Sequence, residues 1–107
     1  MNSSVQTLQN AQAGNANGAV MNVSQYSSLG LQVIGAGFTG TVNFEASFDG
    51  GNNWAPVPMQ KSDGTWTSTA TASGIFVAPN AAIFPAFRAR TSGVTGGTVT
   101  VLTMANE

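Results

Sequence analysis

Hydrophobic and polar residues alternate with a period of two along most of the chain, which is typical of β-strands that bury one face. The clearest run covers residues 41–48. Its apolar side chains would share one face of a strand: Val42, Phe44, Ala46 and Phe48. We therefore expect this face to lie in the core. Shorter alternations occur around residues 29–33, 87–90 and 98–101.

Pairs of residues that favour tight turns separate these runs, at Asn17-Gly18, Asp49-Gly50-Gly51, Asp63-Gly64, Ser73-Gly74, Ser92-Gly93 and Gly96-Gly97. They predict seven to nine short strands, at about residues 4–9, 18–25, 28–35, 38–48, 53–60, 65–71, 74–78, 83–91 and 97–104. Regularly spaced short strands indicate an all-β fold. We expect an antiparallel β-sandwich of the jelly-roll or immunoglobulin-like type, with no helix longer than about two turns.

Residues 1–17 fit this pattern poorly, because they are polar and contain several turn-forming residues. Ordering a residue costs about 1–2 kcal/mol of backbone entropy, and this segment has few apolar side chains to offset that cost. We interpret residues 1–17 as an extended N-terminal arm and residues 18–107 as a single sandwich domain. Val5 and Leu8 are then predicted to contact a neighbouring chain.

Charge is scarce in this chain of 107 residues. Charged residues make up 7% and the net charge is −1, against about 25% charged residues in an average soluble domain. Such a surface argues against nucleic acid and membranes as partners. No stretch is apolar enough for a membrane helix, and no signal peptide is expected. Few charges favour association, so we predict a homo-oligomer.

The sequence contains no histidine and no cysteine, which excludes Ser-His-Asp and Cys-His catalytic groups and the usual zinc sites. Residues 35–40 match the dinucleotide motif G-x-G-x-x-G, but a strand pattern follows where the motif needs a helix. We interpret them as a glycine-rich turn between two strands. No catalytic residue, metal site or cofactor is predicted, and we expect the protein not to be an enzyme.

The carboxylates support the same expectation. Glu45 and Asp49 would lie about 13 Å apart along a strand, which is too far for a glycosidase pair. Residues 49–53 are rich in oxygen ligands but lack the spacing of a calcium loop, so a hairpin turn is favoured.

The remaining candidates are side chains that can contact a partner. Arg88 and Arg90 share one face of a strand, and a cross-strand pair with Glu45 would contribute at most about 1 kcal/mol; a partner subunit is the alternative contact. We expect Trp54 to close one end of the core. Trp66 lies in a polar strand and is a candidate partner contact. Exposed on one face beside Asn and Asp, Trp54, Trp66 or Tyr26 would instead form a platform for sugars.

One segment carries a resemblance to a known group of proteins. Residues 40–57, GTVNFEASFDGGNNWAPV, resemble a pattern found in small β-sandwich structural proteins of tailed bacteriophages. Residues 74–77, 87–90 and 98–101 fit the same scheme. The resemblance brings no catalytic residues with it.

The resemblance implies a non-enzymatic virion protein, most simply a capsid decoration or cement protein. Such a protein would be made in the host cytoplasm and would bind the major capsid protein at the capsid surface as a homotrimer. A carbohydrate-binding or tail-fibre or baseplate module for host adhesion is the alternative.

Overall fold

A computed structural model describes residues 3–22, 28–78 and 85–106, and these residues form an all-β structure. The strands are β1 (Ser3–Gln12), β2 (Ser28–Ser47), β3 (Ala55–Pro56), β4 (Met59–Lys61), β5 (Trp66–Thr67), β6 (Thr69–Ala70), β7 (Gly74–Ala78) and β8 (Ala86–Asn106). All pairings among them are antiparallel. The predicted fold class is confirmed. The described residues include no helix that could cross a membrane.

The eight strands belong to one sheet, built on the long pair β2 and β8. Residues 28–36 of β2 pair with residues 98–106 of β8. These two segments, together with β1, β7, β4 and β5, form what we call the six-stranded half. Its strand order is β1-β8-β2-β7-β4-β5. Residues 39–47 of β2 pair with residues 86–96 of β8, and with β3 and β6 they form the second half.

The core lies between the two halves. The rings of Phe44 in the second half and Phe76 in the six-stranded half lie 5.0 Å apart. The Thr103 hydroxyl donates to the Met21 sulfur at 3.3 Å, while the Met21 backbone pairs with Phe87 in the other half. The halves therefore pack face to face although β2 and β8 run continuously through both of them.

Three of the predicted turns, at residues 35–40, Ser92-Gly93 and Gly96-Gly97, lie inside continuous strands. The pairing of β2 with β8 changes register between Ala36 and Thr41, and Gly37 and Gly97 both have positive φ. The two backbones approach so closely that a Cβ on Gly97 would overlap the Gly37 carbonyl. The prediction of a turn between two strands at residues 35–40 is therefore wrong: β2 joins the predicted strands 28–35 and 38–48, and β8 joins 83–91 and 97–104.

The first strand also differs from expectation. Residues Ser3–Gln12 pair with β8 from Asn106 to Val99, and the Leu8 side chain is 2% exposed in the core of its own chain. The Gln9 amide donates to the carbonyls of Ala16 and Ala89 at 3.1 and 2.9 Å. The prediction of an arm that docks Leu8 on a neighbour is therefore wrong, because pairing with β8 compensates for the cost of ordering the segment.

Most of the clearest strand behaves as predicted. Val42, Phe44 and Ala46 are buried, but Phe48 is 71% exposed because β2 ends at Ser47 and the chain turns. The predicted Asp63-Gly64 hairpin is confirmed: it joins β4 to β5, and the Lys61 amide donates to the Thr65 carbonyl at 2.7 Å. The predicted strand 18–25 lies partly outside the described residues.

Candidate functional site

The outer face of the six-stranded half is uncharged and largely apolar. Its strand registers align one residue from each strand in a row across the sheet: Val5, Met104, Gly30, Val77, Gln60 and Trp66. The side chains next to Gly30, Val77 and Met104 along their strands are buried, so this row faces outwards. A second row adds Thr7, Leu102, Gln32 and Ile75. We call these two rows the apolar face.

None of the residues in the apolar face is ionisable. Of the charged side chains that the structure describes, Glu45, Arg88 and Arg90 lie in the second half, and Asp49 and Asp63 lie in loops. Lys61 ends β4 opposite the buried Phe76 and is not part of the apolar face. At the centre of the face, Gly30 has no side chain, and a shallow depression of about 310 Å³ opens there between Val5, Ile75, Leu102 and Met104. The face is therefore suited to uncharged, apolar contacts.

An ionic cluster occupies the outer face of the second half. Glu45 lies opposite Arg88 across the strand pair, and its carboxylate accepts bonds from Arg88 Nε at 2.8 Å and from Arg90 Nε and Nη2 at 3.1 and 3.0 Å. The Arg88 guanidinium also lies 4.1 Å from the centre of the Trp54 ring. The predicted cross-strand ion pair is present, and both arginines take part in it.

The electrostatics of this cluster favour the ionised carboxylate. Burial raises the pKa of Glu45, but the hydrogen bonds and charges of Arg90 and Arg88 outweigh burial and leave the pKa below its ordinary value. The pKa of Arg90 is raised mainly by its hydrogen bonds to Glu45. The cluster thus holds the strands of the second half together within one chain.

The loop after β2 is organised by Asp49. Its carboxylate accepts hydrogen bonds from the backbone N–H groups of Asn52 and Asn53, from Asn53 Nδ2 and from the Ser47 hydroxyl, at distances of 2.6–3.1 Å. These bonds, led by that of the Asn53 backbone, hold the pKa of Asp49 well below its usual range. The loop connects the paired strands β2 and β3, as the predicted hairpin turn requires. Among the described residues, no group of three or more acidic, histidine or cysteine side chains could hold a metal.

The structure separates the five predicted contact residues. Val5 is 68% exposed and Trp66 is 54% exposed, at opposite ends of the first row of the apolar face. Leu8 is buried, and Arg88 and Arg90 belong to the ionic cluster. A role in partner contact remains a prediction for Val5, Trp66 and the two arginines.

Sequence reasoning missed the middle of the apolar face. Ile75 and Val77 flank the buried Phe76 in a short strand that is apolar on both sides, so periodicity alone does not show which face is exposed. Met104 lies in residues 101–105, where both faces of the strand carry apolar side chains: Leu102 and Met104 on one, Val101 and Ala105 on the other. The sequence signal for this face was that these strands carry apolar residues on both faces. A strand with one solvated face would instead alternate apolar and polar residues.

Comparison with known proteins adds the family. The sequence model of the XepA family matches residues 2–105. The chain belongs to the XepA family. Among curated proteins, none matches the sequence.

Two solved structures share the fold of this XepA-family chain. The SPBc2 prophage-derived protein YomS superposes with a TM-score of 0.88 at 17% identity, over 97% of this chain and 92% of YomS. The PBSX exported protein XepA gives a TM-score of 0.88 at 20% identity, over 97% of this chain but 37% of the XepA chain. The chain thus spans most of the YomS chain but little more than a third of the XepA chain.

Proposed function

We propose that this protein is a non-enzymatic phage structural protein that works by binding other proteins through its apolar face, and that its specific role is capsid decoration. The observation that carries the proposal is the uncharged outer face of the six-stranded half, with exposed Val5, Val77 and Met104 in one row. Contiguous exposed apolar surface of this kind marks interaction sites. The family likeness to a prophage-derived protein supports a phage origin.

Capsid decoration accounts for the modest strength expected of this surface. One small apolar face without ion pairs gives a weak contact. A shell presents many identical sites, so several linked copies can bind firmly although each contact is weak. We propose the major capsid protein as the partner and the capsid surface as the location, with the protein made in the host cytoplasm.

A second candidate is an exported binding protein. The observation that favours it is the description of the solved XepA as an exported protein. The sugar-binding alternative has less support, because Trp54 lies on the second half with its ring covered by Arg88, while Trp66 lies at the edge of the six-stranded half. Tyr26, a further candidate for a sugar platform, is outside the described residues.

Fractionation of a phage-producing culture tests the proposal. After separation of heads, tails and medium on a density gradient, we expect the protein in the head fraction, and we expect purified protein to bind heads that lack it. Ile75→Lys should abolish binding because it charges the apolar face, whereas Phe48→Lys, at an exposed position outside that face, should not. Protein found only in the medium would support the exported alternative and contradict capsid decoration.

A further inference from the structure

A polar cleft of about 320 Å³ opens between the two halves, away from the apolar face. The six-stranded half lines it with Lys61 of β4 and Phe76 of β7. The second half lines it with Thr69 and Ala70 of β6, and residues 71–73, which connect β6 to β7, complete its wall. We call this space the interlayer cleft. Its volume lies within the range of sites that bind small molecules.

The pairing of β4 with β7 directs Lys61 towards this cleft. Lys61 lies opposite Phe76 in the ladder, and side chains that lie directly opposite each other share one face of a sheet. Phe76 is 5% exposed and belongs to the core, so Lys61 projects from the inner face of the six-stranded half. Lys61 is itself exposed because β4 ends there. Its ammonium group is therefore available to a molecule that enters the cleft.

The charge of Lys61 has no partner in the part of the chain that the structure describes. The ion pairs found there are those of the two arginines in the ionic cluster. Asp63 is close to Lys61 in sequence, but its carboxylate accepts bonds from the Thr65 amide and hydroxyl at 3.0 and 2.6 Å and does not line the cleft. No described acidic side chain lines the cleft, which therefore favours an anion over a cation.

Hydroxyl groups supply the rest of the polar lining. Those of Thr69 and Thr71 have no hydrogen-bond partner among the described residues. The Ser73 hydroxyl accepts a bond from the Gly35 amide at 2.9 Å and keeps its own proton to donate. A hydroxyl both donates and accepts hydrogen bonds, so these groups complement a ligand whose own groups do the same.

We propose that the interlayer cleft binds a sugar that carries an oxyanion, either a phosphate or a carboxylate. Lys61 donates hydrogen bonds to the anionic group, and the hydroxyls of the wall exchange hydrogen bonds with those of the sugar. Ala70 and Phe76, both nearly buried, offer the carbon atoms of the ring an apolar floor. The inference goes beyond the proposed function and does not depend on capsid binding, because the cleft lies apart from the apolar face.

An NMR titration of the purified full chain tests this inference. We expect glucose 6-phosphate and glucuronate to shift the amide signals of residues 69–73, and the tighter of the two identifies the preferred anion. Glucose, which lacks the charge, should bind at least about tenfold more weakly, since hydrogen bonds to charged groups are the strong ones. Inorganic phosphate and acetate, which lack the sugar, should also bind more weakly.

Each of these comparisons can contradict the proposal. Glucose that binds as tightly as glucose 6-phosphate would overturn the role of the charge. Inorganic phosphate or acetate that binds as tightly as the matching sugar would overturn the assignment to a sugar. Failure of both charged sugars to shift residues 69–73 would overturn the site.

Substitutions in the cleft give a second test. Lys61→Gln should weaken binding of the charged sugars at least about tenfold, whereas Lys61→Arg, which keeps the charge, should retain most of it. Thr69→Val should weaken binding by a smaller factor, and Thr7→Val, at an exposed hydroxyl on the apolar face, is the matched control and should not. All three positions are exposed, so the variants should keep the natural circular dichroism spectrum. Lys61→Gln protein that binds like the natural chain would overturn the proposal.

Discussion

Single glycines determine where the two long strands bend. Gly97 has a φ of 70° and lies against the backbone of Gly37, whereas a Cβ on Gly37, with a φ of 63°, would meet nothing within 4 Å. The two positions therefore share the conformational requirement but differ in the space around them. This difference gives a matched pair of substitutions.

We expect Gly97→Ala to destabilise the fold much more than Gly37→Ala. Gly37→Ala should cost about 1–2 kcal/mol, for the left-handed conformation alone. Gly97→Ala should cost more, because its Cβ must also displace the backbone of Gly37. Overpacking a core costs about 1–3 kcal/mol, and displacing a backbone should cost at least that much in addition. Urea unfolding of both variants measures the difference, and equal losses would show that the close approach of β2 and β8 is wrong.

Glu45 is the residue whose charge should matter most for stability. It is 12% exposed and bonds two arginines, and hydrogen bonds to charged groups contribute about 1.5–3 kcal/mol. Glu45→Gln should therefore lower the free energy of unfolding by an amount in this range at pH 7. The control is Asp63→Asn, at a carboxylate whose described bonds lie within an exposed turn; it should change stability little.

The stability difference between the natural protein and Glu45→Gln should depend on pH with a definite sign. Because the folded pKa of Glu45 lies below its ordinary value of 4.5, its stabilising contribution is complete above that value and is lost as the pH falls through the folded pKa. Urea unfolding between pH 7 and pH 2 should show the natural protein and Glu45→Gln converging on the acid side. A gap that stays constant would contradict the ion pair.

At the scale of elements, β1 is an integral strand of the sheet, and its two faces should respond differently to mutation. Leu8→Ala should cost about 2–5 kcal/mol, the range for a buried leucine. Val5→Ala, in the same strand but on the outer face, should change stability by less than about 0.5 kcal/mol. Thermal unfolding of dilute protein gives both values. Similar melting temperatures for the two variants would restore the interpretation of this segment as an arm.

The sequence predicted the elements whose signals are local. The alternation at residues 41–48 identified three core residues correctly, and Asp63-Gly64 identified the β4–β5 hairpin, because period and turn chemistry depend on neighbouring residues. The place of β1 could not be predicted in this way. Its partner strand β8 is distant in sequence, from Ser3 paired with Asn106 to Gln12 paired with Val99, and neither strand's own pattern contains that pairing.

The glycine signals were read incorrectly for a related reason. A positive-φ glycine can reverse the chain in a hairpin or produce a bulge in a strand that continues. At Gly64 it closes a hairpin, whereas at Gly37 and Gly97 it bends long strands. Only the pairing of β2 with β8 on both sides of the bend decides between these outcomes, and that pairing is a tertiary feature.

The candidate site was predicted in part. Val5 and Trp66 were predicted individually as partner contacts, and the structure places both, exposed, on one face. The rest of that face comes from the register of six strands, which no local pattern encodes. Leu8 was assigned to the same role, although a spacing of three places Val5 and Leu8 on opposite faces of a strand. One of these faces is exposed and the other is buried.

At the scale of the whole molecule, the ionic groups and the apolar surface are separated. The cluster of Glu45, Arg88 and Arg90 lies on the outer face of the second half, and the apolar face lies on the outer face of the six-stranded half. A chain with 7% charged residues has little electrostatic repulsion to keep copies apart. The molecule is therefore suited to assembly through one side, with its charges directed elsewhere.

Hydroxyl-radical footprinting of the protein, free and bound to heads that lack it, tests most directly the proposal that the apolar face is the binding surface. Oxidation of Met104 and Trp66, which are exposed in that face, should fall on binding. Oxidation of Phe48, which is exposed outside the face, should be the same in both samples. Equal oxidation of Met104 in the two samples, or protection confined to Phe48, would contradict the account.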